Sequence, residues 1–119
     1  MAIVREATEA DIPALARLHV AAWRLAYEGI LPQAVLAALS VGEFEAIWGK
    51  LLRDPARRTL VVCPTPSAVA AGFVAYRLEP EAEIIGLYVD PARWRSGLGT
   101  RLMAAALEVA NIQAPQHPP

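Results

Sequence analysis

The chain has 119 residues, of which 55% are hydrophobic, and its formal net charge at pH 7 is -1. This length predicts one domain around a single core, and the near-neutral charge gives no general attraction to nucleic acid or to an anionic membrane. No apolar run is long enough for a membrane span, and charges at Arg5 and Glu6 come too early for a signal peptide, so we expect a cytoplasmic protein.

The chain opens with the pattern of a short strand followed by a long helix. Residues 2–5 are the predicted strand, and Thr8 with Asp11 gives the capping-box start of the helix, which ends at Gly29. One face of this helix is expected to pack on a sheet, because apolar residues recur at helical spacing: Ile12, Leu15, Ala16, His19, Ala22, Trp23 and Ala26.

Two more helical stretches are predicted before the pattern changes. The first stretch covers residues 32–39 and begins with a proline. The second is a helix that starts at a capping box of Ser40 and Glu43 and ends at Asp54 and the following proline. The period then changes from helical to β-branched and apolar runs. This change predicts that the second half of the chain begins with strands.

Three strands and a helix are predicted for the second half of the chain. Apolar runs at 59–63, 69–78 and 83–89 are separated by proline-containing turns, which is typical of an antiparallel meander. The last helix is predicted over 98–110. We therefore expect one domain over residues 1–110, and a disordered proline-rich tail over 111–119.

The segment between the third meander strand and the last helix reads V-D-P-A-R-W-R-S-G-L-G-T-R-L. Gly97 and Gly99 let the backbone adopt positive φ and approach a ligand closely. The first N–H groups of a helix, with its dipole, favour an anion such as a pyrophosphate. A glycine-capped turn explains an isolated GxG equally well, so the flanking strand and helix carry the functional interpretation.

Residues 83–108 resemble motif A of the Gcn5-related N-acetyltransferases, in which a strand and V-x-P precede (Q/R)xxGx(G/A) and a helix. Val89 and Pro91 match before the loop, whereas Trp94 stands where the family most often has Gln or Arg. The opening strand and the W-R-L-A-Y run that starts at Trp23 look like the beginning of the same fold. The resemblance implies an α/β fold with a mixed sheet: a short N-terminal strand, two helices, an antiparallel three-strand meander and the cofactor-binding helix.

The resemblance also implies the ligands. Acetyl-CoA would place its pyrophosphate on backbone N–H groups of the loop and its pantetheine arm along the preceding strand, and a small-molecule or peptide primary amine would attack the thioester directly. Trp23 and Tyr27 can line the acceptor pocket, although core packing would explain them equally well. The residues assigned to the cofactor are Leu87, Tyr88, Val89, Trp94, Arg95, Ser96, Gly97, Leu98, Gly99 and Thr100.

Glu83 is the candidate catalytic residue. Side chains alternate along a strand, which predicts Glu83, Ile85, Leu87 and Val89 on one face, beside the expected thioester. Resembling enzymes often carry a glutamate here that acts as a general base through water; the alternative is a solvated residue at the start of a strand. His19 is expected to be a packed histidine rather than a base.

Metal and disulfide chemistry are not expected. The two histidines and the one cysteine, Cys63, have no metal-ligand spacing, so we predict no metal site. A single cysteine cannot form an internal disulfide, and its apolar neighbours predict a buried strand thiol.

In the resembled family another strand, a helix and a terminal strand pair follow the motif A helix, together with the tyrosine that protonates the departing thiolate. We therefore expect an incomplete domain, whose uncovered strand 83–89 leads to a homo-oligomer or requires a strand-completing partner. Tyr88 and Tyr27 can replace that tyrosine by residue type only. Two alternatives stay open: a non-catalytic CoA-binding fragment, and an unrelated anion-binding α/β domain.

Overall fold

The computed structural model describes residues 1–113 of the chain. Its strands are β1 (Ile3–Glu6), β2 (Arg57–Cys63), β3 (Gly72–Arg77) and β4 (Glu83–Val89). Its α-helices are α1 (Ile12–Ala26), α2 (Gln33–Ala37), α3 (Val41–Arg53) and α4 (Leu98–Gln113). This order confirms the predicted α/β fold, and the five-residue α2 lies within the helical stretch predicted at 32–39.

The four strands form one antiparallel sheet in the order β1-β2-β3-β4. Ile3 lies opposite Cys63 across β1 and β2, and Gly72 lies opposite Val89 across β3 and β4. Within residues 1–113, β4 pairs with β3 on one side only, so its other side is an open edge.

Helices cover both faces of the sheet. On one face α1 and α3 bury a cluster that includes Leu15, Trp48 and Phe73. On the other face α4 buries Leu98, Leu102 and Ala106 against β2, β3 and β4. The structure confirms Cys63 as a buried thiol, with 0% of its surface exposed.

Most element boundaries differ from the predicted ones by one to three residues. β3 begins at Gly72 rather than at residue 69, because the preceding residues form a turn in which the Ala68 N–H donates to the Thr65 carbonyl. The helix α4 runs to Gln113, three residues beyond its predicted end. The rest of the predicted tail, residues 114–119, lies outside the described residues.

A partly buried ion pair connects β1 to the start of α1. The Arg5 guanidinium donates to both carboxylate oxygens of Asp11, at 2.7 and 2.8 Å. The Thr8 N–H donates to the same carboxylate at 2.8 Å, which is the Asp11 half of the predicted capping box. These bonds, with Arg5 first, lower the pKa of Asp11 below 3.8, its ordinary value.

We predict that Asp11→Asn lowers the free energy of unfolding by about 2 kcal/mol at pH 7, because it leaves a partly buried guanidinium without its charged partner. The folded state lowers the pKa of Asp11, so the wild type should lose this stabilisation as pH falls below about 3.8, the ordinary pKa. Urea denaturation at several pH values tests both effects. The exposed Glu9 in the same turn provides the control Glu9→Gln, and equal effects of the two variants would contradict the prediction.

Candidate active site

Hydrogen bonds fix the loop between β4 and α4. The Trp94 indole Nε1 donates to the Val89 carbonyl at 2.7 Å, so the indole holds the loop against the end of β4. The Asp90 carboxylate accepts from the Ala92 N–H at 3.0 Å, and the Ser96 hydroxyl donates to the Arg93 carbonyl. The residue that departs from the family pattern therefore has a structural role here, which the sequence pattern does not reveal.

Two residues of this loop adopt left-handed backbone conformations. The φ of Gly97 is +82° and that of Arg95 is +68°. The first hydrogen bond of α4 runs from the Arg101 N–H to the Gly97 carbonyl at 3.0 Å. The N–H groups of the three residues between them therefore have no partner within the helix, which is the donor arrangement that an anion requires.

A cavity of about 380 Å³ lies between this loop and the end of β4. It brings together every predicted cofactor residue except Ser96, and it adds Arg93. We call it the loop cavity; its lining is Leu87, Tyr88, Val89, Arg93, Trp94, Arg95, Gly97, Leu98, Gly99 and Thr100.

Only part of the β4 backbone faces the open edge. The Asp90 N–H donates to the Ala71 carbonyl at 2.8 Å, so it points toward β3. Antiparallel pairing alternates along a strand, which turns Tyr88 toward β3 and turns Leu87 and Val89 outward. Of the three β4 residues assigned to the cofactor, Leu87 and Val89 therefore direct their N–H groups to the open edge and Tyr88 does not.

An irregularity in the pairing of β3 and β4 changes which side chains share a face. Leu87 lies opposite Val74, whereas Ile84 lies opposite Tyr76, so one extra residue, Ile85, is inserted in β4. Val74, Tyr76 and Ile84 belong to the cluster that packs against α4. Leu87 lies on the same face because it is directly opposite Val74. The prediction of Glu83, Ile85, Leu87 and Val89 on one face is therefore wrong.

The bulge turns Glu83 to the face on which α1 lies. Its carboxylate is 3.8 Å from the Arg77 guanidinium, and its side chain is 63% exposed. Glu83 lies two residues before the first β4 residue that lines a cavity on that face, Ile85. The structure thus places the predicted base beside that cavity and outside its lining.

That second cavity, of about 490 Å³, lies between α1, β3 and β4. Trp23 and Tyr27 line it with their ring centroids 4.8 Å apart, and 38% and 37% of their surfaces are exposed. We call it the aromatic cavity; its lining is His19, Ala22, Trp23, Leu25, Ala26, Tyr27, Phe73, Ile85, Gly86, Leu87 and Tyr88. Leu87 and Tyr88 line both cavities, so the two meet at β4.

His19 and Phe73 line the aromatic cavity, and the sequence analysis assigned neither to a site. The His19 ring packs edge-on against Phe44 at 4.7 Å, as expected for a packed histidine. Burial lowers the pKa of His19 below 6.5. The packing around His19 comes from contacts between α1, α3 and β3. These contacts are not local in the sequence, so no residue spacing predicts them.

Among residues 1–113, no group of three or more His, Cys, Asp or Glu side chains is placed to hold a metal ion. Over the same residues, none of the helices combines the length and the apolar character needed to cross a membrane.

A sequence model of the acetyltransferase (GNAT) family matches residues 12–113. An uncharacterized N-acetyltransferase of Bacillus subtilis (strain 168), YuaI, is 32% identical over 114 residues, which are 91% of this chain and 64% of that relative. The chain belongs to the GNAT acetyltransferase family. It spans less than two thirds of the length of this relative, and its family membership excludes an unrelated anion-binding domain.

Solved structures show the same fold. The PaiA N-acetyltransferase of Thermoplasma acidophilum in complex with coenzyme A has a TM-score of 0.72 at 16% identity, over 94% of this chain and 73% of that one. An aminoglycoside antibiotic 6'-N-acetyltransferase of Acinetobacter baumannii has a TM-score of 0.67 at 16% identity, with 94% and 73% coverage. A spermidine N-acetyltransferase chimera from Vibrio cholerae has a TM-score of 0.64 at 18% identity, with 92% and 62% coverage.

The two loop glycines should respond differently to substitution. We expect Gly97→Ala to lower the free energy of unfolding by about 1 kcal/mol, because an L side chain is strained in the left-handed region. Gly99→Ala is the matched control: its added Cβ would meet Val89 at 3.7 Å, an ordinary contact. Urea denaturation of both variants measures the difference. A Gly99→Ala variant as destabilised as Gly97→Ala would contradict this assignment.

Proposed function

We propose that the chain is an acetyl-CoA-dependent N-acetyltransferase that moves an acetyl group to a primary amine. The observation that carries the proposal is the meeting of the loop cavity and the aromatic cavity at Leu87 and Tyr88. A donor in one cavity and an acceptor in the other would place their reacting atoms at the same point of β4, as direct transfer requires.

The residues of the loop cavity fit the cofactor. Free N–H groups at the start of α4 suit a pyrophosphate, and the guanidiniums of Arg93 and Arg95 add positive charge at the cavity. The outward N–H groups of Leu87 and Val89 and the outward Leu87 carbonyl suit a pantetheine arm that pairs with the edge in the manner of a strand, whereas the Val89 carbonyl accepts from the Trp94 indole. The coenzyme A complex of the PaiA enzyme, which has the same fold, supports this assignment.

Bound acetyl-CoA would supply a thioester: the amine nitrogen bonds to the carbonyl carbon, the C–S bond breaks, and the products are the N-acetyl amine and the CoA thiol. An outward N–H at Leu87 or Val89 would stabilise the negative charge on the carbonyl oxygen. Glu83 would accept the amine proton through water. Burial, followed by the charge of Asp90, raises the pKa of Tyr88, so its hydroxyl stays protonated at neutral pH and can donate to the departing sulfur.

The proposal includes the organisation expected from the sequence. The acetyltransferase unit is residues 1–110, continued by the end of α4, and the acceptor is a small-molecule or peptide amine in the cytoplasm. The open edge of β4 supports pairing with a strand from a second copy or from another polypeptide.

Ligand binding tests the cofactor assignment. At a hundredfold excess over Kd, acetyl-CoA should stabilise the wild type by about 2.7 kcal/mol, which a thermal shift measures. Gly97→Asp should abolish the shift, because a carboxylate would repel the phosphates. Ile30→Asp places the same charge at a 73% exposed position outside the loop cavity and should keep it. An unchanged melting temperature of the wild type at saturating CoA would contradict the assignment.

Turnover tests the chemistry. Glu83→Gln should lower kcat at neutral pH by about 100-fold with CoA affinity unchanged, since a positioned base contributes on that scale. Glu81→Gln, in the exposed turn before β4, is the control and should keep the wild-type kcat. Equal kcat values in the wild type and Glu83→Gln would show that Glu83 is a solvated surface residue and not the base. Acetylation of no amine by the wild type would contradict the proposed enzyme and favour the non-catalytic CoA-binding alternative.

A further inference from the structure

The aromatic cavity has a composition that restricts its ligand. Four aromatic rings line it, from Trp23, Tyr27, Phe73 and Tyr88, and the His19 imidazole adds a fifth ring. Trp23 and Tyr27 keep more than a third of their surfaces exposed, although large apolar side chains normally bury more. A flat apolar group that covers such a partly exposed aromatic pair is bound favourably, because it removes the ring surfaces from water.

The lining of this cavity contains no carboxylate and no guanidinium. Its one titratable group on α1, His19, is neutral at pH 7, because burial lowers the pKa of the imidazole. The Nδ1 atom of His19 is buried and has no hydrogen-bond partner among residues 1–113. Glu83 lies outside the lining, 3.8 Å from the Arg77 guanidinium, so a ligand with several positive charges would lose hydration here without a carboxylate in the lining for each charge, which is costly.

One positive charge is compatible with these walls. An ammonium group over the face of Trp23 or Tyr27 is stabilised by the ring quadrupole. The cavity also reaches β4 at Gly86 and Leu87, so an amine held there lies beside the strand that borders the loop cavity.

A larger neighbouring cavity, of about 680 Å³, has the opposite character. It lies between α1 and α2 and contains Arg24 and Glu28. Arg24 is already engaged, because its guanidinium donates to the Leu36 and Leu39 carbonyls. The two cavities share Leu25 and Tyr88, and Glu28 lines the larger one and not the aromatic cavity.

From this contrast we infer that the acceptor is a primary amine with one positive charge and a flat apolar body, of the arylalkylamine type, and that the aromatic cavity selects it against polyamines. The inference rests on the proposed function and adds the substrate class. Trp23 and Tyr27 determine the specificity through their exposed rings.

The test compares 2-phenylethylamine with spermidine as acceptors for acetyl-CoA. The wild type should have a kcat/KM at least about tenfold higher for 2-phenylethylamine. Trp23→Ala should lower that value about tenfold, through KM rather than kcat, because the loss of one cation–π and stacking partner is of this order. Trp23→Phe should restore most of it, since it replaces the ring.

Three further variants separate the two cavities. Ala26→Glu adds a carboxylate to the aromatic cavity at an exposed position and should shift the preference toward spermidine. Glu28→Gln should leave the preference unchanged. Ile47→Ala removes a side chain that is 43% exposed on α3, outside both cavities, and should change neither kcat nor KM.

The outcomes distinguish the inference from the proposed function. Faster acetylation of spermidine, or a preference that changes with Glu28→Gln and not with Trp23→Ala, would overturn the inference and leave the acetyltransferase in place. Calorimetric binding of 2-phenylethylamine that Trp23→Ala removes, with no acetyl transfer to any amine, would overturn the proposed enzyme and the role of the amine as acceptor, and would support the aromatic cavity as a binding site for an arylalkylamine. Absence of binding and of preference at millimolar amine would overturn the inference.

Discussion

The close contact between the backbones of β3 and β4 at Gly72 sets the arrangement of the whole site. A Cβ at this position would lie 2.8 Å from the Tyr88 carbonyl oxygen, so no other residue fits without a shift of the backbone. This contact keeps Gly72 opposite Val89 and thereby fixes which backbone groups of β4 face outward. The loop cavity and the aromatic cavity both depend on that register, because both are lined by Leu87 and Tyr88 near the end of β4.

Earlier in β4, a single inserted residue turns the side chains of the two halves of the strand to different faces of the sheet. After Ile85 along the chain, the Leu87 side chain faces α4 and the Tyr88 side chain faces α1. Before Ile85, the Glu83 side chain faces the side of α1. Without the insertion the carboxylate would lie on the face covered by α4, away from the aromatic cavity. A bulge next to a candidate site is a common way for a sheet to redirect a side chain, and here it redirects the only carboxylate on this strand.

The sequence predicts those features that local patterns encode. The bounds of β4 agree at both ends, and the glycine loop at the start of α4 lies where the motif places it. The bulge at Ile85 and the indole bond of Trp94 could not be predicted, because each depends on which atoms a neighbouring segment places nearby. The same holds for Phe73 and His19, which reach the aromatic cavity through contacts between α1 and the sheet. Strand alternation, applied without the pairing partner, assigned Glu83 to the wrong face.

If the proposed function is correct, the apolar character of the aromatic cavity would connect the specificity for the acceptor to its reactivity. An amine attacks a thioester only as the free base, and transfer of an ammonium from water to an apolar cavity lowers its pKa. The walls that disfavour a polycation would therefore also help a single ammonium to lose its proton, which the proposed base Glu83 would accept through water. A cavity lined with carboxylates would bind polyamines but would raise the pKa of the bound ammonium. An enzyme with such a cavity would depend more strongly on its base, so the two kinds of acceptor site solve the same proton-transfer problem differently.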